Sequence, residues 1–158
     1  KILGIRTEAH GDSWFYTVHM GWWDDKEEPF QAQMDRLNHV LKKTGKADRQ
    51  VWLLGDFNSP ADRLDQGYGY VCRNGWQDSY CMAKERDDGI TAGCFIDGWR
   101  NREEAAAGIQ DIQGMRLDYL FSRQQVPVAY SRVVCNGLNG PVVSDHRGVM
   151  IETEEDKG

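Results

Sequence analysis

A long amphipathic helix between two strand-like segments is the feature that most constrains the fold of this chain. Residues 14–20 are rich in aromatic and β-branched side chains, which indicates a strand, and the apolar run 51–54 indicates another. Between them, Pro29 suits the first turn of a helix, and apolar side chains then recur at spacings of four, three and four. These side chains are Phe30, Met34, Leu37 and Leu41. A strand–helix–strand succession predicts a sheet covered by helices, and hence an α/β fold.

The remaining regular segments are mostly strands. Residues 1–6 pair naturally with 14–20 as a β-hairpin, because turn-forming residues occupy positions 10–13. Further strands are predicted at 116–121, 126–134 and 148–152.

The stretch 59–114 is the least regular part of the sequence, because glycines recur throughout it. We expect loops there, with short helices near residues 60–64 and 75–80. The charged, alanine-rich segment 102–113 is predicted to be a mobile surface loop.

Composition and charge exclude several protein classes. The chain has 158 residues, of which 40% are hydrophobic and 28% charged, as in a single globular domain. No apolar run approaches the roughly 20 residues that a membrane-spanning helix needs, so we expect no membrane association. The net charge of −6 disfavours a broad electrostatic contact with nucleic acid. No repeat or linker marks a second domain, so residues 1–153 are assigned to one domain and residues 154–158 to a polar tail.

The four cysteines indicate a reducing compartment. None of them forms a C-x-x-C pair, which disfavours a zinc knuckle or a thioredoxin-like site. Their even number permits two disulfides, but a domain of this size does not need them. We therefore expect buried free thiols and a cytoplasmic protein. The four are Cys72, Cys81, Cys94 and Cys135.

Two polar clusters follow the strands of the first half. His19 ends the strand 14–20, where a lone histidine is also compatible with a purely structural role. Asp56 and Asn58 follow the strand 51–54 within the sequence G-D-F-N-S-P. Because they lie two residues apart, they point the same way in an extended chain and offer a carboxylate and an amide to a cation or a phosphate. An Asx turn is the structural alternative.

Two further clusters occupy the second half. Asp118 lies within the apolar strand R-L-D-Y-L-F, where a carboxylate needs a partner; Arg116 or a histidine would serve. Asp145 and His146 enter the last strand within S-D-H-R-G. As neighbours they point to opposite sides, so each is expected to have its own task. Asp145 would meet a cation, and His146 a substrate or the carboxylate of Asp118.

The order of these clusters is strand-His, G-D-F-N, R-x-D-Y and S-D-H. It resembles the endonuclease/exonuclease/phosphatase superfamily of metal-dependent phosphoesterases, over about residues 1–152. The resemblance implies a four-layer α/β sandwich of the deoxyribonuclease type, with two packed sheets and helices outside. It also implies Mg²⁺ as the cofactor, with Mn²⁺ as an alternative.

The resemblance implies a role for each residue at the phosphate. His19 would contact the scissile phosphate. Asp56 would orient or deprotonate the attacking water, and Asn58 would hold the phosphate or the metal beside it. Asp118 would hydrogen-bond His146, and His146 would bind the phosphoryl oxygens, stabilise their developing charge, or act as acid or base.

The metal site implied by the resemblance is incomplete in this sequence. Asp145 would lie at the cation, with Asp56 and Asn58 beside it. Family members also carry an asparagine and a metal-binding glutamate on segments that precede the strand-His cluster, and neither is found before His19. The domain 1–153 therefore corresponds to about the carboxy-terminal two-thirds of the family's domain. We expect weak magnesium binding, little activity, and association with the missing amino-terminal segment or a second copy of the chain.

The substrate class is suggested by the residues after His19. Trp22 and Trp23 would stack on a sugar ring or simply pack against the following helix. Together with E-P-F at 28–30 and D-G-W at 97–99, they resemble the branch of maltose 6'-phosphate phosphatases. We therefore expect a phosphomonoesterase acting on a small sugar phosphate. The alternatives are a nuclease of the same superfamily and a non-catalytic fragment.

Overall fold

The computed structural model describes residues 2–8, 12–44, 49–93 and 114–154. Within these ranges the regular elements are strands β1 (Ile2–Thr7) and β2 (Ser13–His19), helix α1 (Phe30–Thr44), strand β3 (Val51–Asp56), helix α2 (Gly67–Arg73), strand β4 (Gln77–Asp78), helix α3 (Ser79–Met82), and strands β5 (Glu85–Arg86), β6 (Asp118–Ser122), β7 (Val128–Val134) and β8 (Gly148–Thr153).

The strands form two sheets. The large sheet has five strands in the order β1-β2-β3-β6-β4, and the small sheet has three in the order β5-β7-β8. β1 and β2 form the predicted antiparallel hairpin, and β3 runs parallel to β2 after the crossover through α1. β6 then pairs antiparallel with the other side of β3. This arrangement confirms the predicted α/β fold.

One face of the large sheet is closed by α1 and α2. All four residues of the predicted apolar stripe of α1 are buried. They pack on side chains that alternate along β2, β3 and β6, as the period of two in a strand requires. This core consists mainly of Phe30, Met34, Leu37, Leu41, Tyr16, Val18, Leu53, Phe57, Tyr68, Val71, Tyr119 and Phe121. The small sheet lies on the opposite face of the large sheet. A cleft between the two sheets is lined by Leu120 of β6 and Ile151 of β8, among others.

Of the two short helices predicted between 59 and 114, the one near residues 60–64 is wrong, and the one near 75–80 is confirmed only in its last residues, where α3 begins at Ser79. Residues 61–65 form turns, and helix α2 begins only at Gly67. Glycine disfavours a helix on propensity alone, but here close packing requires it, because a Cβ on Gly69 would lie 1.8 Å from the carbonyl oxygen of Leu64. Residues 75–80 contain β4 and the start of α3, whose first turn is capped by Asp78 accepting a hydrogen bond from the Tyr80 amide.

Cysteine burial differs from the expectation. Cys72, Cys81 and Cys135 are free thiols, but Cys81 is exposed and the other two are half-buried. Cys94, the predicted loop 102–113, the D-G-W sequence at 97–99 and most of the 154–158 tail lie outside the described residues. Glu154 is held at the end of β8, since its amide donates to the Pro127 carbonyl. None of the helices in the described ranges combines the length and apolar character needed to cross a membrane.

Candidate active site

Three of the predicted site residues form a row across the large sheet. His19 ends β2 and is in register with Asp56 at the end of β3, which in turn is in register with Asp118 at the start of β6. In-register residues of adjacent strands project from the same face of a sheet. The row therefore lies on the face opposite α1 and α2. Strand pairing alone brings together His19 and Asp118, which are far apart in the sequence.

His146 reaches this row from the segment that leads into β8. An isolated bridge between His146 and Ala92 holds its backbone. Its Nδ1 lies 2.8 Å from Oδ2 of Asp118, and both side chains are largely buried. The predicted pairing of Asp118 with a histidine is therefore present. Arg116, the alternative partner for Asp118, instead forms an ion pair with the buried Asp78.

Charges within the group alter the protonation of its members. The Nε2 atom of the exposed His19 lies 3.7 Å from Oδ2 of Asp56. Burial raises the pKa of Asp56, and the negative charge of the nearby Asp118 raises it further. The hydrogen bond from the Asn58 amide lowers this pKa but does not cancel the increase. Burial alone would lower the pKa of His146, but the hydrogen bond and charge of Asp118 outweigh it and raise that pKa. The imidazolium form of His146 is therefore more stable than that of a free histidine.

The end of β3 and the loop that follows it adopt a backbone shape that depends on their residue types. Gly55 has a φ of 126°, and a Cβ there would lie 2.2 Å from the Val18 carbonyl oxygen. Asn58 has a φ of 45°, in the left-handed region that asparagine tolerates. Its amide donates to Oδ1 of Asp56 at 2.7 Å, and its side chain donates to the Met20 carbonyl at 2.9 Å. Asn58 thus shapes the Asx turn and also ties the loop to the end of β2.

Tyr119 is a residue of the site region to which the sequence patterns assign no role. Its buried hydroxyl lies 2.6 Å from both the Ser59 and the Arg116 carbonyl oxygens. The first belongs to the loop after Asp56, and the second to the segment before Asp118. Tyr119 therefore joins the two segments that carry the carboxylates. The R-x-D-Y cluster contains Tyr119 and so draws attention to it. The cluster does not predict the contact with the Ser59 carbonyl, because Ser59 is 60 residues away in the sequence.

Asp56, Asp118 and His146 form a group able to hold a metal ion. One ligand atom from each lies within 4.8 Å of the others. Carboxylate oxygens suit hard divalent cations, and imidazole suits transition metals. The donor set therefore fits a divalent cation whose remaining ligands come from water, substrate or other groups. Asp145 is exposed and accepts hydrogen bonds from the Ser144 hydroxyl and the His146 amide, outside this group.

The two tryptophans after His19 lie close to the loop that carries Asn58. Their rings meet edge to face at 5.0 Å, and the Trp23 amide donates to the Asn58 carbonyl. Trp22 is 42% exposed, whereas Trp23 is half-buried. Trp23 therefore packs against the loop, whereas the indole ring of Trp22 remains partly exposed to solvent.

Comparison with known proteins identifies the fold. No protein-family model and no curated protein matches the sequence. Among solved structures, an endonuclease/exonuclease/phosphatase family protein from Leptotrichia buccalis C-1013-b is 31% identical, matches 98% of this chain and superimposes with a TM-score of 0.78. The chain has the endonuclease/exonuclease/phosphatase fold. The predicted resemblance to this family is therefore confirmed.

More distant members of the group differ in what their names describe. A mannosyl-6-phosphatase from Bacteroides thetaiotaomicron VPI-5482 is 18% identical over 94% of this chain, with a TM-score of 0.65. TDP2 from D. rerio, solved with a single-strand DNA product, is 16% identical over 98%, with a TM-score of 0.61. The chain spans only 54%, 53% and 61% of the lengths of the Leptotrichia, Bacteroides and D. rerio chains.

Proposed function

We propose that the protein carrying this chain is a divalent-metal-dependent phosphoesterase that hydrolyses its substrate by in-line attack of water on phosphorus. The observation that carries the proposal is the row of His19, Asp56 and Asp118 with His146 hydrogen-bonded to its end. The two histidines can bind a phosphate group, and a carboxylate on the same face can act as the general base that deprotonates the attacking water. The similarity to the Leptotrichia family member supports the same reaction class.

The proposed roles follow from position and charge. Asp56 orients or deprotonates the attacking water, and its raised pKa makes it a better proton acceptor than an ordinary aspartate. His146, held by Asp118 and with its imidazolium form stabilised, binds the phosphoryl oxygens and stabilises the charge that grows on them. His19, exposed beside Asp56, contacts the scissile phosphate from the other side.

Metal binding is assigned to the same group. Asp56 would hold the cation, with Asp145 and Asn58 as further candidate ligands. The structure adds Asp118 to the candidates, and His146 could join them only as a neutral imidazole. Mg²⁺ or Mn²⁺ would neutralise charge on the phosphate and orient it. Asp145 would have to turn from its hydrogen bond with Ser144 to take part, whereas Asn58 would offer its side-chain oxygen.

A small sugar phosphate is the favoured substrate, as for a maltose 6'-phosphate phosphatase. The net charge of −6 disfavours a long polyanion, and the exposed face of Trp22 offers a stacking surface for a sugar ring. The fold shared with a mannosyl-6-phosphatase is compatible with this substrate class. The free thiols Cys72, Cys81 and Cys135 suit a cytoplasmic enzyme.

A nuclease is the second candidate function. It is favoured by one observation, the common fold with TDP2 in complex with a single-strand DNA product. A non-catalytic fragment is the third candidate, but it leaves the Asp118–His146 pair and the raised pKa of Asp56 without a purpose.

The deciding assay uses the natural protein that carries this chain. Phosphate release from mannose 6-phosphate and maltose 6'-phosphate, and nicking of plasmid DNA, are measured with Mg²⁺, with Mn²⁺ and with EDTA. We expect sugar-phosphate hydrolysis that EDTA abolishes. Asp56→Asn and His146→Ala are expected to lower kcat by roughly 10²–10⁴-fold, the usual contribution of an acid–base group. The exposed residues Asp24 and His39 provide the controls Asp24→Asn and His39→Ala.

Each outcome of this assay has a clear meaning. Strong nicking without phosphate release would reverse the order of the two candidate enzymes. Full activity in the Asp56→Asn variant would refute the site. The 158-residue chain alone is expected to turn over slowly or not at all. Robust metal-dependent turnover by that chain would contradict the expectation that its metal site is incomplete.

A further inference from the structure

The hydrogen-bonded pair of Asp118 and His146 is assembled from two separate segments. Asp118 begins β6 of the large sheet, whereas His146 lies on the segment that leads into β8 of the small sheet. Nδ1 of the imidazole and Oδ2 of the carboxylate lie 2.8 Å apart. Because a hydrogen bond weakens steeply when its length or angle changes, both backbones must be held in place for the pair to form.

A buried threonine holds the backbone at Asp118. The Oγ1 atom of Thr91 accepts hydrogen bonds from the Leu117 amide at 3.0 Å and from the Asp118 amide at 3.1 Å. Two successive amides that converge in this way form a concave, positively polarised site, and the threonine oxygen fills it. Thr91 and Leu117 have no exposed surface. A buried amide without an acceptor is costly, so this hydroxyl group fixes the path of the chain where β6 begins.

The backbone around His146 is held by the same short segment. The carbonyl oxygen of Thr91 accepts a hydrogen bond from the Arg147 amide at 2.8 Å, and Ala92 forms an isolated antiparallel bridge with His146. The Arg147 side chain adds a hydrogen bond from Nη1 to the Ile90 carbonyl at 3.1 Å. Main-chain contacts from this segment therefore fix the position from which the imidazole reaches Asp118.

The contacts of the Thr91 main chain are separable from those of its hydroxyl group. The amides of Thr91 and Ala92 donate to the Met115 carbonyl at 3.0 and 2.9 Å, and the Met115 amide donates to the Ala92 carbonyl at 2.8 Å. Other residue types at position 91 would keep these main-chain bonds. The hydroxyl group is the part of the side chain that acts directly on the amide of Asp118.

We propose that Thr91 is a positioning residue of the candidate site. Its hydroxyl group fixes the backbone of Asp118, and its main chain fixes the backbone beside His146, so that the carboxylate and the imidazole meet at hydrogen-bonding distance. Its effect on turnover rests on the proposed function, whereas its effect on the geometry of the pair does not.

The test compares variants of the natural protein that carries this chain. Thr91→Val replaces the hydroxyl group with a methyl group, and Thr91→Ala is used as well in case the valine variant does not fold. Thr91→Ser keeps the hydroxyl group. Ser122→Ala is the matched control, because Ser122 is also fully buried and its hydroxyl group donates to the Gln124 carbonyl at the other end of β6. Circular dichroism shows which variants are folded.

The first readout is steady-state kinetics with Mg²⁺, using phosphate release from maltose 6'-phosphate and nicking of plasmid DNA. Thr91→Val should lower kcat by roughly 10–100-fold, as loss of an outer partner of a site residue usually does. KM should change little, because the pair acts mainly on charge that develops in the transition state. Thr91→Ser should recover most of the lost kcat, and Ser122→Ala should keep the full kcat.

The second readout is proton NMR of the metal-free protein, which needs no activity. The Nδ1 proton of an imidazole that donates to a carboxylate gives a signal downfield of the amide protons, and its absence in His146→Ala assigns it. We expect this signal in the unsubstituted protein, in Thr91→Ser and in Ser122→Ala. It should be lost or shifted upfield in Thr91→Val, because the carboxylate no longer lies at the correct distance.

The outcomes separate this proposal from the proposed function. Thr91→Val with unchanged kcat and an unchanged downfield signal would overturn the positioning role. An equal loss of kcat in Ser122→Ala would also overturn it, because the cause would then be general destabilisation. If the natural protein hydrolyses neither substrate, the proposed function fails and the NMR signal alone decides on Thr91. Its loss in Thr91→Val would then support the positioning role, and its persistence would refute that role.

Discussion

The two faces of the large sheet have opposite characters although they share the same strands. On the face covered by α1 and α2, Phe57, Tyr119 and Phe121 are almost fully buried and contact one another through their rings. On the other face, Leu3 and Ile5 are exposed and a cleft separates the sheets. The chain therefore completes one core by itself, and the candidate site residues lie on the other, partly covered face.

This division has a chemical reason. A close-packed aromatic core excludes water and cannot accept a charged substrate. The open face lets His19, Asp56 and His146 remain accessible while the closed face holds the strands in register. The difference between the faces can be tested by substitutions on each.

The largest effect should come from the closed core. Phe121→Ala removes a fully buried ring that lies 5.1 Å from Tyr119 and 4.9 Å from Phe57. The free energy of unfolding should fall by about 3–5 kcal/mol in urea denaturation, the usual cost of such a cavity. Phe15→Ala, on the open face, should cost only about 1 kcal/mol, the order of one aromatic pair. Equal losses would show that both faces are closed in the isolated chain.

The next largest effect should come from the end of β3, where the backbones of β2 and β3 approach closely. Gly55→Ala forces a side chain into a backbone with φ of 126° and against the Val18 carbonyl. We expect a loss of about 3 kcal/mol, since both strain and a clash must be relieved. Gly93→Ala is the control, because its nearest contact would be Nη2 of Arg147 at 3.7 Å. Thermal unfolding of both variants checks this, and a neutral Gly55→Ala would contradict the tight approach of β2 and β3.

A smaller loss is expected at the tyrosine that links the two carboxylate segments. Tyr119→Phe leaves the Ser59 and Arg116 carbonyls without their hydroxyl donor and should cost about 1–2 kcal/mol. Tyr80→Phe removes one exposed hydrogen bond to Asp87 and should cost less. Denaturant titration compares the two variants. If Tyr80→Phe is the more harmful, Tyr119 does not tie the segments together.

The smallest effect concerns pH on the open face. Because Asp118 raises the pKa of His146 above its unfolded value, the pair stabilises the fold fully below that unfolded value. The contribution disappears as pH rises through the folded value. In metal-free protein, NMR titration should show that Asp118→Asn lowers the pKa of His146, whereas Asp24→Asn does not. An unchanged His146 titration in Asp118→Asn would show that the pair is absent in solution.

The sequence predicted the elements whose signals are local. Phe30, Met34, Leu37 and Leu41 revealed α1 because a helix repeats its apolar face within a few residues. The hairpin and the strands β3, β6, β7 and β8 were predicted for the same reason, within about two residues at their ends. The helix at 67–73 was missed because Gly67 and Gly69 oppose helix formation locally, and only their packing on Ser59 and Leu64 explains them.

The candidate site was predicted in part. The histidine partner of Asp118 followed from the order of the clusters. The ion pair of Arg116 with Asp78 and the hydroxyl contact of Tyr119 with Ser59 did not, because their members are 38 and 60 residues apart. A local sequence pattern cannot predict which buried polar groups from distant segments will form a hydrogen bond or an ion pair.

The sequence by itself determined the α/β character and the residues that end each strand, because alternation and helical periodicity depend only on neighbouring side chains. Only the tertiary structure decided that His19, Asp56 and Asp118 stand in one row, that His146 joins them, and that Asp145 lies apart. It also decided which face of the sheet remains open. Strand register and sheet order arise from hydrogen bonds between distant segments, and these form only when the whole chain folds.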